Sequence, residues 1–187
     1  MRQLDVTDSG RMGRVIQEAF TDHEHIDVVV SNAGFGVFGA AEDLTTDQVE
    51  QMIGTNLTAA IQLARLVIPH LRRQDGGRLM QVSSMGGHMA FPAFSLYHAT
   101  KWGIVGFGRG LGVEGRPDNI RVTTVIPGGM RTHFFDRFVD QGIPMPDEKN
   151  LQNPTTVASA IVFAAKVPAE SNLQELILTP LTETSWP

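Results

Sequence analysis

Apolar positions along this chain follow two alternating rhythms. Compact β-rich runs at Ile26–Ser31, Arg78–Ser83, Ile120–Ile126 and Gln174–Leu178 predict strands. The first and third of these are almost unbroken apolar stretches, the pattern of strands buried on both faces in a parallel sheet. Longer segments between them carry apolar residues at helical spacing. Asp8–Thr21 places Met12, Val15, Ile16 and Ala19 on one face, with Thr7 or Asp8 as the N-cap. Thr46–Leu71 carries Val49, Met52, Ile53, Leu57, Ala60, Ile61, Ala64 and Val67–Ile68, and is followed by the breakers Asp75–Gly77. Tyr97–Glu114 and Thr155–Lys166 complete the predicted helices. Strands alternating with helices predict an α/β, Rossmann-like doubly wound parallel sheet in a single domain over residues 1–187. Met130–Pro154, rich in Phe, Pro and Asp, reads as a mobile surface excursion.

The beginning of the chain changes this picture. Gln3–Val6 reads as the tail of a strand, so the sheet is expected to be already under way. A doubly wound nucleotide fold opens with a strand, a Gly-rich turn and a helix, and residues 1–25 supply none of that sequence. The expectation is an incomplete domain lacking its first strands and its phosphate-binding turn. One literal G-x-G-x-x-G match exists, Gly34-Phe-Gly36-Val-Phe-Gly39. It is rejected as a phosphate cradle, because a cradle needs a helix starting at once and the next helical pattern waits until about Thr46.

Composition removes several function classes. Of 187 residues, 42% are hydrophobic and 19% charged, the net charge is −5, and there is no cysteine. A mildly acidic chain without a Lys/Arg cluster gives no electrostatic case for nucleic acid or an anionic membrane. The absence of cysteine removes disulfides, thiolate metal sites and cysteine nucleophiles. No apolar run approaches the roughly 20 residues of a membrane span, and no signal pattern opens the chain, so a cytoplasmic protein is expected. His23-Glu-His25 offers two possible metal ligands without a third nearby and reads as a solvated loop, so no metal is expected.

The candidate chemistry sits at Tyr97-His98-Ala99-Thr100-Lys101. Positions four apart share a helix face, and an ammonium there favours the phenolate, predicting a tyrosine pKa below its ordinary value of about 10. Taken alone, this spacing usually means a solvated helix face. Three successive strand ends give it company: Ser31-Asn32-Ala33-Gly34, then Ser84, then Pro127-Gly128-Gly129-Met130-Arg131-Thr132. Ligands of open α/β sheets bind beyond the carboxyl ends of strands. Asn56 is a polar amide inside an apolar helix, disfavoured there unless it has partners.

With these residues together, the chain from Leu4 to Pro180 resembles the short-chain dehydrogenase/reductase family. Leu4-Asp5-Val6-Thr7 resembles its acidic turn against adenine, and Ser31-Asn32-Ala33-Gly34 its N-N-A-G segment, with Ser in the first place. Asn56, Ser84, Tyr97 and Lys101 match its catalytic tetrad, and Pro127-Gly128 through Thr132 its turn beside the nicotinamide. The resemblance implies NAD or NADP as cofactor, NADP slightly favoured, with contacts at Asp5, Val6, Asn32, Ala33, Gly34, Tyr97, Lys101, Pro127, Gly128 and Thr132. It implies Tyr97 as acid/base, Lys101 lowering its pKa and binding the nicotinamide ribose, Ser84 holding the reacting oxygen, and Asn56 anchoring a relay water. Hydride passes directly between cofactor and a secondary alcohol or ketone substrate. Asn56 remains open as a helix-packing amide, Asn32 as a tie between strands, and Asp5 as a capping acid. His88, His98 and His133 receive no role from the motif and default to surface or rim. The glycine-rich helix after Tyr97 (Gly103, Gly106, Gly108, Gly110, Gly112, Gly115) is where the family packs a twin subunit, implying a homo-oligomer. Phe134, Phe135, Phe138 and Met145 predict a partly apolar pocket, whereas the tail Leu176-Ile-Leu-Thr-Pro resembles members acting on small hydroxy acids. The alternative class is a non-catalytic truncated paralogue or fragment that acts, if at all, as a binding module. On either reading this chain by itself is expected to bind NADH and NADPH weakly or not at all.

Overall fold

The computed structural model describes residues 3–139, 143 and 146–183, with the side chains of 137 and 139 outside the description. Four parallel strands form one sheet in the order β1 (Val28–Ser31), β2 (Gly77–Val82), β3 (Ile120–Pro127) and β4 (Glu175–Leu178). Register is continuous across the middle pair, where Leu79 faces Val122 and Gln81 faces Thr124. The four β-rich runs predicted from Ile26 onward are each present within a residue or two of their expected bounds.

Helices cover both faces, so the α/β, Rossmann-like expectation holds. On one face α1 (Ser9–Asp22) packs on α3 (Ala59–Arg73), and with α4 (Ser95–Glu114) they bury Met12, Ala64, Val67, Leu71 and Leu111 against Leu79 and Val122. On the other face, Arg78 reaches the carbonyl of Val167 just after α6 (Pro154–Ala165). The short α5 (Asp136–Val139) lies in the excursion after β3. Local signals explain the ends. Asp8 caps α1 by accepting from the Arg11 amide at 2.8 Å, and Thr45 with Gln48 forms a capping box ahead of α2 (Thr46–Ile53). The turn from α3 into β2 uses Gly76 at φ 123°, where a Cβ would lie 2.7 Å from Asn119.

Two expectations need correction. Gln3–Val6 joins no sheet: Asp5 instead accepts from the Thr7 amide at 2.9 Å and the Thr7 hydroxyl at 2.8 Å, turning the chain into α1. Among the described residues no strand lies outside β1, so Val6 has no ladder to enter and packs its side chain against the α1/α3 core. The predicted helix Thr46–Leu71 is continuous but not uniform. A π turn over Gly54–Thr58 separates α2 from α3, with Asn56 at its centre. The glycines of α4 divide by face. A Cβ at Gly108 would lie 2.3 Å from the Thr124 hydroxyl, whereas Gly106, Gly110 and Gly112 meet open space. Among the described residues no helix is long and apolar enough to cross a membrane.

Candidate active site

The carboxyl ends of β1, β2 and β3 open onto one cavity of about 1070 Å³. Its walls include Asn32 and Gly34 after β1, Ser84 after β2, Tyr97 and Lys101 on α4, and Pro127, Gly128 and Thr132 after β3. Asp5, Val6, Ala33 and Asn56 line no part of it. Ser84 stands two residues beyond the end of β2 and caps a tight turn, accepting from the Gly86 amide at 3.1 Å. That turn runs close over α4, because Gly86 and Gly87 have no side chains. A Cβ at Gly86 would lie 2.9 Å from the Tyr97 ring, and one at Gly87 would lie 2.6 Å from the Ser83 hydroxyl.

Tyr97 and Lys101 occupy the same side of α4, both deeply buried at 6% and 5% exposure. The Lys101 ammonium lies 5.7 Å from the centre of the Tyr97 ring and donates to the Val82 carbonyl at 3.0 Å. Electrostatics here reverse the sequence expectation. Burial pushes the Tyr97 phenol up to about 12, with a hydrogen bond to Ser84 pulling the other way. Burial pulls the Lys101 ammonium down to about 8. The expectation of a lowered tyrosine pKa therefore fails in the free protein. Desolvation outweighs the neighbouring cation, whose own charge is disfavoured by the same burial.

Asn56 acts as a bracket. Its amide donates to the Phe35 carbonyl at 2.8 Å and to the Thr100 hydroxyl at 3.2 Å, while its oxygen accepts from the Phe35 amide at 3.0 Å. These bonds tie the strand-end segment after β1 to the π turn and to α4. Gly34 lies directly over this bracket: a Cβ there would approach the Asn56 oxygen at 3.2 Å and the Lys101 nitrogen at 3.3 Å. The G-x-G-x-x-G segment is irregular chain followed by a single 3-10 turn at Ala41–Asp43, and no α-helix opens before Thr46, in keeping with its rejection as a cradle. Gly36 is buried instead against Phe94, Phe134 and Phe138.

Sequence reasoning missed several contributors. The Ser83 hydroxyl donates to the Lys101 carbonyl at 2.9 Å, and Thr100 bridges Asn56 to the Tyr97 carbonyl. His98 is no rim residue. It is buried, with Nδ1 2.8 Å from the Gly86 carbonyl and Nε2 within 2.8 Å of the Phe91 amide and 3.1 Å of the Phe91 carbonyl. The shorter carbonyl contact, to Gly86, places a proton on Nδ1, since a carbonyl only accepts. The cue was its place beside Tyr97 on a helix facing a Gly-Gly turn. His88 is partly buried, 3.6 Å from Glu175, whereas His133 is exposed and paired with Asp136 at 2.8 Å. His25 pairs with Asp27 at 3.3 Å in an exposed segment.

The predicted apolar wall is present and larger than expected. Phe38, Phe91 and Phe94 join Phe134, Phe135 and Phe138 around the cavity; Met145 lies outside the described residues. Phe94 packs on Tyr97 with ring centres 4.9 Å apart, and Phe134 meets the same ring edge-on at 5.6 Å.

Comparison with known proteins agrees with the fold. The family model described as short chain dehydrogenase matches residues 1–141. An uncharacterized oxidoreductase of Staphylococcus saprophyticus is 31% identical over 98% of this chain and 77% of its own length. A 3-ketodihydrosphingosine reductase of Bacteroides thetaiotaomicron is 32% identical over 73% of this chain, which spans about half (51%) of that relative. Among solved structures, ElxO with NADP bound superimposes with a TM-score of 0.83 at 26% identity, covering 94% of this chain and 75% of that one.

Proposed function

The chain belongs to the short-chain dehydrogenase/reductase family, and from that premise we propose that it exchanges hydride between NADP(H) and a secondary alcohol or ketone, with Tyr97 as acid and base. The observation that carries this reading is the convergence of Ser84, Tyr97 and Lys101 on one cavity floor, with the ammonium 5.7 Å from the centre of the phenol ring.

Each residue has a physical task. A phenol held near pKa 12 is protonated at every ordinary pH, which suits a proton donor to a carbonyl oxygen. The Ser84 hydroxyl positions that oxygen and stabilises the negative charge it gains. When Tyr97 gives up its proton, the phenolate left behind faces the Lys101 ammonium, which carries its charge below pH 8. Asn56 and Thr100 are positioning residues that hold the main chain around Phe35 and the first turns of α4 in register.

The cavity fits the nicotinamide end of a dinucleotide. Gly34 leaves the space above Asn56 and Lys101 open, where a Cβ would crowd both. Asn32, Gly34, Lys101, Pro127, Gly128 and Thr132 would hold the nicotinamide ribose and ring there, while Asp5, Val6 and Ala33 would reach the cofactor from outside the cavity. Bound NADP(H) supplies or accepts the hydride. The ElxO structure with NADP supports that choice of dinucleotide. The outward glycines of α4, beside Trp102 and Val113 at 53% and 60% exposure, support association with a second copy.

The test compares two hydride donors, NADPH and reduced nicotinamide mononucleotide, which lacks the adenylate half. Because this chain by itself is expected to hold the dinucleotide weakly, both donors are supplied at millimolar concentration, and we expect slow ketone-dependent loss of absorbance at 340 nm that vanishes in Tyr97→Phe. No consumption of either donor at millimolar concentration contradicts the reading.

A further inference from the structure

The substrate side of the cavity differs in kind from its floor. Phe94 is the hub of an aromatic wall: its ring centre lies 5.6 Å from Phe38, 5.5 Å from Phe138 and 4.9 Å from Tyr97. Phe134 stands edge-on to both Tyr97 and Phe138, at interplanar angles of 60° and 89°. A ring thus already occupies the space beside the phenol, carried on a half-buried side chain in the excursion after β3. Charged partners are scarce. Among the described side chains lining the cavity the charged or chargeable ones are Lys101, His133 and Glu183. Lys101 is committed beneath Tyr97, and His133 is fully solvated and paired with Asp136.

Among the described side chains no uncommitted cation faces the aromatic wall, so a carboxylate buried against it would meet none of them, which is costly. A flat ring would instead find edges and faces at the spacing that aromatic pairs prefer. We propose that this site takes an uncharged carbonyl compound bearing an aromatic ring next to the reacting carbon, and not a hydroxy acid. The inference rests on the oxidoreductase reading and names its substrate class. It runs against the resemblance of the tail Leu176-Ile-Leu-Thr-Pro to members acting on small hydroxy acids.

Tyr97 is the chain's single tyrosine, so ring-¹³C-labelled tyrosine gives one NMR signal at the site and needs neither cofactor nor turnover. Acetophenone and cyclohexyl methyl ketone share a carbon skeleton and differ in aromaticity; 3-hydroxybutyrate represents the hydroxy acids. Acetophenone is expected to shift the Tyr97 signal saturably and about fivefold more tightly than the cyclohexyl ketone, within the range one edge-to-face pair supplies. The hydroxy acid is expected to leave the signal in place. Phe94→Leu, which keeps an apolar wall without the hub ring, should bring the two ketones close to equal affinity. Equal binding of the ketones to the unaltered chain, stronger binding of the hydroxy acid, or no shift from any ligand overturns the assignment. Aryl ketone binding without reduction by either hydride donor would overturn the oxidoreductase reading while the aromatic assignment stands.

Discussion

The floor and the wall of this cavity are built by opposite means. The floor is polar and cross-braced: Asn56 to Phe35 and Thr100, Ser83 to Lys101, Lys101 to Val82, His98 to Gly86 and Phe91. Every one of these contacts is directional, so each fixes a distance and an angle. The wall is apolar, and Phe38, Phe94, Phe134 and Phe138 hold one another by ring packing alone. Ring packing is tolerant of small displacements. The contrast suits the tasks: proton transfer needs groups fixed to a fraction of an ångström, whereas admitting a substrate needs a surface that yields.

The largest effect expected from this division falls on the floor. Tyr97→Phe should lower kcat by about 10³-fold or more with little change in thermal midpoint, measured by donor consumption beside a melting curve. A comparable loss of folding would show the hydroxyl to be structural. Asn56→Leu comes next, because it strands the Phe35 amide and carbonyl; about 2–3 kcal/mol of stability should be lost in a denaturant titration. A loss under 0.5 kcal/mol would mean that the bracket is dispensable.

Lys101 gives a pH test of the same region. Its folded pKa of about 8 lies below its unfolded value of 10.5, so the unfolded chain binds the extra proton between those limits. Its contribution is full above pH 10.5 and is lost as pH falls through 8. Relative to Lys101→Met, the wild type should gain on the order of 2–3 kcal/mol between pH 7 and pH 10.5. A flat difference would show the ammonium to be solvated. The smallest effect belongs to the wall. Phe134→Leu, at a half-buried ring in the excursion, should cost less than about 1 kcal/mol while changing KM for aryl ketones more than kcat. A collapse of stability there would erase the contrast between floor and wall.

The same contrast explains what could be read in advance. Strand and helix order was legible because burial on both faces writes an apolar run, and helical spacing writes a stripe. Tyr97, Lys101, Ser84 and Asn56 were legible because directional chemistry leaves few residue types for each task. The π turn was hidden, since Gly54–Thr58 reads as ordinary helix and the bonds from Asn56 at its centre to Phe35 are made only in the fold. His98 was passed over for a similar reason: its partners are main-chain atoms, which carry no sequence signature. The wall was half legible. Phe134 and Phe138 stood out by composition, whereas Phe38 and Phe94 arrive from distant segments that only the fold brings together. The ionisation of Tyr97 was misjudged because spacing reveals a neighbouring charge but not the depth of burial around both groups.

Before substrate arrives, Tyr97 stands as a buried neutral phenol with its proton in place to be given. Titration of its ¹³Cζ resonance in the free protein tests this most directly. No ionisation is expected up to pH 11 while the fold is intact, since burial pushes the phenol up to about 12. A midpoint at or below 10 would contradict it, showing that the ammonium next to the ring prevails over burial.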